Sequence, residues 1–229
     1  LEYFKKSLNI RKSIDDKLGI GYSLLSIGNI HSLKQDKEIA LQYYNKSIKI
    51  LRENNDRIGI MSILLSLGDI EKHNQNYKKA LKYFEESLAI SQNLGNKHYI
   101  QAALMTIGHL YSGKYDYDKS LKYIKSAFQI VKELKEKEGF ASISFLRGEV
   151  YYNKGEIQNA LNEHNNSLIT LEELNVKNQL MVVNLYYIGK IYYNNKNYQK
   201  AEKYLEKSLI IQKEIDLSAD LISSLTSYL

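Results

Sequence analysis

Five glycines set the frame of this sequence. Gly28, Gly68, Gly108, Gly148 and Gly189 stand 40, 40, 40 and 41 residues apart. Twelve residues after each comes a small residue: Ala40, Ala80, Ser120, Ala160, Ala201. Seven further on comes another: Ser47, Ser87, Ala127, Ser167, Ser208. Eight after each glycine a helix-capping type dominates: Asp36, Asn76, Asp116, Glu156, Asn197. A fixed period of this length marks a repeat array, in which each unit buries its apolar face only against its neighbours.

Each unit reads as two helices. Ile20, Leu24, Ile27 and Ile30 fall at helical spacing and place the first helix over roughly Gly19 to Leu33. The second follows the cap at Asp36 and runs to about Arg52, with Ala40, Leu41, Tyr44, Ile48 and Leu51 on one face. Polar links such as Asn54-Asn55-Asp56 and Gly95-Asn96-Lys97 separate the units. The chain has no proline, which favours uninterrupted helices. The recurring glycine lies inside the first helix, where it costs about 1 kcal/mol relative to alanine. Such a cost implies close approach of another segment, and the small residue twelve positions later is expected to supply the contact.

These residues bring the chain to a family. It resembles the tetratricopeptide repeat, whose pattern runs W-x₂-L-G-x₂-Y, A-x₃-F and P. The third unit carries Leu104, Ile107-Gly108, Tyr111, Ser120 and Ile124. The second carries Leu64, Leu67-Gly68, Ala80 and Phe84, and the fifth carries Leu185, Ile188-Gly189, Tyr192, Ala201 and Leu205. The period of 40 and the missing proline depart from the pattern, and are similar to the longer-helix subtype of kinesin light chain, Rap-type regulators and bacterial sensor proteins. The resemblance implies an all-α, right-handed superhelical solenoid. Five full repeats are expected at 19–58, 59–98, 99–138, 139–178 and 179–218, with half repeats at 1–18 and 219–229. Ser218-Ala219-Asp220 is expected to open a further first helix. Apolar Leu225, Tyr228 and Leu229 do not make a polar cap, so the parent protein is expected to continue, and end-to-end self-association through terminal helices is a further expectation.

The resemblance also implies a concave face, lined by first helices, that holds peptides or partner helices. Counted from the glycines, that face takes Tyr22, Leu25 and Asn29 in the first repeat and Leu65, Asp69 and Lys72 in the second. It takes Met105 and His109 in the third, Phe145, Glu149 and Tyr152 in the fourth, and Tyr186, Lys190 and Tyr193 in the fifth. These rows vary in chemistry while the packing rows do not, as befits a surface free to specialise. The row Leu25, Leu65, Met105, Phe145, Tyr186 is apolar throughout. It either forms the apolar stripe that an amphipathic helix or extended peptide needs, or packs on the second helix of its own unit.

The fourth repeat is unusual. Arg147 and Ser144 replace aliphatic residues of its first helix, and Glu163 and His164 replace aromatic or aliphatic pairs such as Tyr83-Phe84. A buried charge needs a partner, so Arg147 is expected either to pair with Glu163 or to reach solvent along its stem. His164 is expected to be a satisfied core histidine.

Chemistry of other kinds finds no footing. The five histidines show no metal-binding spacing, and there is no P-loop, dinucleotide or nucleophile-elbow motif, so neither cofactor, metal nor catalytic residue is expected. Cysteine is absent, which removes disulfides and thiolate chemistry and fits a reducing, cytoplasmic compartment. The net charge of +6 is spread among interleaved glutamates and not gathered into a nucleic-acid stripe. No apolar run approaches the roughly 18 residues of a membrane span. The reading is a non-enzymatic scaffold for a protein or peptide, with no nucleic-acid or membrane partner. Its alternatives are a regulatory input domain beside a kinase, cyclase or transcription regulator, and a receptor for a peptide pheromone.

Overall fold

The computed structural model describes residues 1–215. They form eleven helices and no strand: α1 Glu2–Ser13, α2 Lys17–Leu33, α3 Lys37–Glu53, α4 Arg57–His73, α5 Tyr77–Asn93, α6 Lys97–Gly113, α7 Tyr117–Leu134, α8 Lys137–Lys154, α9 Ile157–Glu173, α10 Gln179–Asn194 and α11 Tyr198–Glu214. The chain is an all-α helical repeat solenoid. The expected helix at Ser218-Ala219-Asp220 lies outside the described residues. No helix among the described residues is long and apolar enough to cross a membrane.

Every link between consecutive helices turns on one residue in the left-handed region. In two links it is glycine, Gly95 at φ 63° and Gly155 at φ 85°; the other eight use Asp15, Gln35, Asn55, Gln75, Tyr115, Lys135, Asn175 and Lys196. This one-residue reversal, which closes orphan carbonyls at the preceding helix end, keeps the links short. The side chains that cap are only partly those expected. Asp116 and Asn197 accept from Lys119 N and Lys200 N. Asp36 turns to His31 instead, Asn76 donates to Glu71, and Glu156 takes Asn159 and Lys154. First helices are capped by residues outside the expected column: Asp16 on Gly19 N, Asp56 on Gly59 N, Asn96 on Tyr99 N and Asn178 on Met181 N.

The chain divides into two compact units, one ending at Leu110 and one beginning at Tyr111. In the first, α2 packs on α3 and α4 on α5. Leu25, Tyr44, Leu51, Ile63, Leu64 and Leu67 form its main core, and Leu8, Leu24 and Ile27 close it toward α1. In the second, α8 packs on α9 and α10 on α11, around Ala141, Leu168, Leu171, Val182, Leu185 and Ile188.

The glycine column has a different partner from the one expected. A methyl group on Gly28 would lie 2.6 Å from the Tyr44 ring, and one on Gly68 closer still to Phe84. On Gly148 it would lie 2.8 Å from His164, and on Gly189 2.8 Å from Leu205. The large side chain sixteen residues on, and not the small one twelve on, lies nearest the glycine. Of the small column, Ala201 is among the nearest neighbours, its carbonyl 3.3 Å from a methyl placed on Gly189. The serine column also has a definite task. Ser47, Ser87, Ser167 and Ser208 donate to the carbonyls of Gly21, Met61, Ala141 and Val182 at 2.6, 3.4, 2.7 and 3.0 Å. Each bond ties the second helix to the first turns of its partner, and being fully buried it satisfies a hydroxyl that would otherwise cost about 1–3 kcal/mol.

Candidate functional site

The first helices of the second unit, α8 and α10, bring an aromatic cluster together around Tyr187. Its ring stands edge-on to Phe145, Tyr152 and Tyr186 at 5.9, 5.7 and 5.8 Å between centroids, and stacks on His164 at 4.8 Å. Its hydroxyl donates to Glu149 Oε1 at 2.8 Å. Burial, and then the Glu149 carboxylate, push the Tyr187 phenol above its usual range, so it stays a neutral donor. Lys190 sits with its ammonium 5.3 Å from the Tyr152 ring and 5.8 Å from that of Tyr186, a double cation–π seat. Asn194 Nδ2 donates to Tyr152 Oη at 3.1 Å. Of the residues expected on this face, Phe145, Glu149, Tyr152, Tyr186 and Lys190 therefore meet in one half-buried patch. Tyr193 is edge-on to Tyr198 at 5.6 Å.

The floor of the patch is polar. His164 is fully buried, with Nδ1 3.0 Å from Asn184 Oδ1. Asn184 donates through Nδ2 to Ser167 Oγ and to Leu180 O, both at 2.8 Å, and Ser167 passes the chain to Ala141 O. Both amide hydrogens of Asn184 are thus spent, its oxygen is the group facing His164, and Nδ1 must carry the proton. His164 Nε2 is left as a bare lone pair with no partner among the described residues. The expectation of a satisfied core histidine holds for burial and for one nitrogen only. Burial drives the His164 pKa down to about 4, against the opposing effect of Asn184, so the ring is neutral.

Beside this floor, Arg147 pairs with Glu163 at 2.9 Å. The pairing was one of the two outcomes open from the sequence. Burial raises the Glu163 carboxyl above its usual range even though Arg147 and Ser144 pull the other way.

In the first unit the expected residues are less gathered. Leu25 is 6% exposed and belongs to the core with Leu64 and Tyr44, so its side chain offers no surface to a ligand. It takes the packing alternative because α2 lies against both α3 and α4. Leu65 and Met105 are half-buried. Asn29 is exposed and accepts from Tyr44 Oη at 2.9 Å. Asp69 and Lys72 pair at 3.1 Å beside a polar pocket of about 510 Å3 that also takes in Ser32, Lys37 and His73. Partial burial, then Lys72, hold the His109 pKa below the usual value. Tyr22 is pushed up to about 12 by its hydrogen-bonding approach to Asp56 and by burial.

Sequence reasoning passed over Tyr187 and Asn184, though both break their columns. Tyr187 follows Ser26, Ser66, Thr106 and Leu146, and Asn184 follows Ser23, Ile63, Ala103 and Ile143.

Three family models, each described as tetratricopeptide repeat, match residues 22–54, 59–133 and 183–215, together more than half of the chain. No curated protein matches the sequence. Among solved structures, BtubC (BKLC) from P. vanneervenii shares 16% identity, with a TM-score of 0.73 over 95% of this chain and 91% of that one. A Rap protein solved with competence and sporulation factor shares 19%, with a TM-score of 0.78 over 93% of this chain and 60% of that one. A STAND signal-transduction ATPase with a tetratricopeptide repeat sensor, from Pyrococcus horikoshii, shares 17%, with a TM-score of 0.74 over 98% of this chain and 33% of that one. This chain thus spans nearly all of the first, three fifths of the second and a third of the third. The glycine columns, the helix pairs they lock and the family matches agree: the chain belongs to the tetratricopeptide repeat superfamily.

Proposed function

We propose that this chain is a non-catalytic interaction module that binds a peptide or a partner helix on the exposed faces of its first helices. The patch of Phe145, Glu149, Tyr152, Tyr186 and Lys190 is the observation that carries the reading. Its rings are each held edge-on against Tyr187, so little side-chain entropy remains to be lost on binding. Tyr152 Oη accepts from Asn194 and so keeps its own proton to donate. An apolar anchor from a peptide fits among the rings, while Lys190, Glu149 and the phenol oxygens serve its backbone and polar groups.

A regulatory setting is the second reading. It is supported by the likeness to a Rap protein solved with competence and sporulation factor and to a STAND protein that carries a tetratricopeptide repeat sensor. In that setting the module is a peptide receptor or the input domain of a larger signalling protein.

Selection from a displayed peptide library tests the proposal, with the folded double variant Tyr152→Ala, Tyr186→Ala as the counter-target. Peptides that bind the parent chain and are lost with the variant support it. If every enriched peptide binds both proteins equally, the patch is not the binding face.

A further inference from the structure

Second helices of neighbouring repeats flank a cleft floored by the first helix between them, as α1 and α3 do about α2, and α7 and α9 about α8. In two places an ion pair bridges that cleft. Arg52 of α3 meets Glu86 of α5 at 2.7 Å, and Glu172 of α9 meets Lys207 of α11 at 2.8 Å. The two pairs occupy equivalent positions, because Glu172 lies 120 residues after Arg52 and Lys207 lies 121 after Glu86. The sign is exchanged and the bridge is kept.

Forty residues before Arg52 and Glu86 stand Lys12 and Lys46. Between α1 and α3 the bridging position therefore holds two like charges. Lys12 and Lys46 line an open cleft of about 520 Å3 together with Lys49, Glu53 and the apolar side chains of Leu8, Ile20, Leu24, Tyr43 and Ile50. No ion pair among the described residues engages Lys12, Lys46 or Lys49; Lys46 lies only over the Tyr43 ring, at 5.9 Å. The rim thus carries three positive charges against one negative charge, above an apolar floor supplied by α1, α2 and α3.

We infer that this cleft is a second docking site, separate from the aromatic patch, for a protein segment that carries an apolar side chain flanked by carboxylates. The apolar group rests on the half-buried Ile20, Tyr43 and Ile50, above the buried Leu8 and Leu24. A flanking carboxylate takes the place between Lys12 and Lys46 that Glu86 takes beside Arg52. Charge complementarity selects this occupant: a basic or neutral segment would leave two lysines facing one another without a counter-charge.

The probe is a fluorescein-labelled peptide of about ten residues, a central Leu-Phe pair between blocks of Asp and Glu, followed by anisotropy at low ionic strength. Amide shift mapping of the full chain locates the bound peptide. Binding is expected to shift Leu8, Ile20, Leu24 and Tyr43 while the amides of Tyr152 and Tyr186 stay in place. Lys46→Glu rebuilds the bridge in the Arg52–Glu86 sense, and Lys12→Glu rebuilds it in the Glu172–Lys207 sense. Each is expected to weaken binding at least tenfold. Lys82→Glu, on the exposed face of α5, makes the same change in net charge and is expected to leave binding unchanged. Equal loss in all three variants would reduce the effect to bulk charge and overturn the proposal. So would equal binding of a peptide with alanines in place of the Leu-Phe pair, or the absence of shifts at the cleft with millimolar peptide.

Discussion

Lowering the pH should weaken the second unit through one side chain, and His164→Phe should remove the effect. His164 is fully buried and neutral, with a pKa lowered from the ordinary 6.5 to about 4. Between those values the unfolded chain binds a proton that the folded chain refuses. The stabilising contribution of the neutral ring is therefore complete above about pH 6.5 and is lost as the pH falls toward 4. Each pH unit in that window is worth about 1.4 kcal/mol, so going from pH 7 to pH 5 costs about 2 kcal/mol and the whole window about 3 kcal/mol. Phenylalanine is the residue at the equivalent position of the second repeat, where Phe84 covers Gly68 as His164 covers Gly148. The substitution keeps the ring and removes the titration. It strands Asn184 Oδ1, which costs about 1–3 kcal/mol at every pH. Adding Asn184→Ile, the residue type of Ile63 and Ile143 in that column, removes the stranded amide. The assay is urea unfolding followed by circular dichroism at pH 7, 6 and 5. His109 and the carboxylates titrate in all three proteins and cancel in the comparison. If the parent chain and the two variants lose the same stability between pH 7 and pH 5, the account of His164 is wrong.

Two further outcomes follow from the packing. Gly68→Ala places a methyl against three carbons of the Phe84 ring and should cost about 1–3 kcal/mol despite alanine's better helix propensity; Gly113→Ala meets nothing within 4 Å and should gain up to about 1 kcal/mol. Urea midpoints of the two variants moving in the same direction would contradict the close approach. Arg147→Ala leaves Glu163, whose side chain is 11% exposed, without its partner and should cost about 1–3 kcal/mol. The double variant Arg147→Ile, Glu163→Tyr restores the pair used by Ile27 and Tyr43, and in a double-mutant cycle should recover most of that loss; no recovery would mean that the ion pair is not the unit that matters.

Both the aromatic patch and the polar chain beneath it fall in the fourth and fifth repeats. Phe145, Tyr187 and His164 form one contiguous group of rings, and His164, Asn184 and Ser167 one chain of hydrogen bonds from α9 through α10 to α8. A ligand that shifts α10 would act on both. In the first unit the equivalent position beside the glycine holds Tyr44 or Phe84, and Tyr44 donates to Asn29 Oδ1 at 2.9 Å.

The sequence alone determined the architecture. A glycine inside a helix every 40 residues, with small and capping types at fixed offsets, leaves paired helices as the only consistent pattern, because helical periodicity and turn chemistry act over a few residues and are written locally. It also made Arg147 and Glu163 conspicuous, since two charges broke apolar columns in one repeat. Which side chains meet was decided by the crossing of the helices. Gly28, Gly68, Gly148 and Gly189 accept the large side chain sixteen residues on because the second helix returns so as to lay that side chain nearest the missing Cβ. Leu25 went to the core because α2 is packed by two helices. Tyr187 and Asn184 acquired partners on α8 and α9, 38 and 20 residues away in the chain, through contacts that no local pattern encodes. The open cleft between α1 and α3 shows the same division. The lysines are plain in the sequence, but only the closed bridges at Arg52–Glu86 and Glu172–Lys207 reveal what those positions do, because an ion pair is a property of two helices brought together in space.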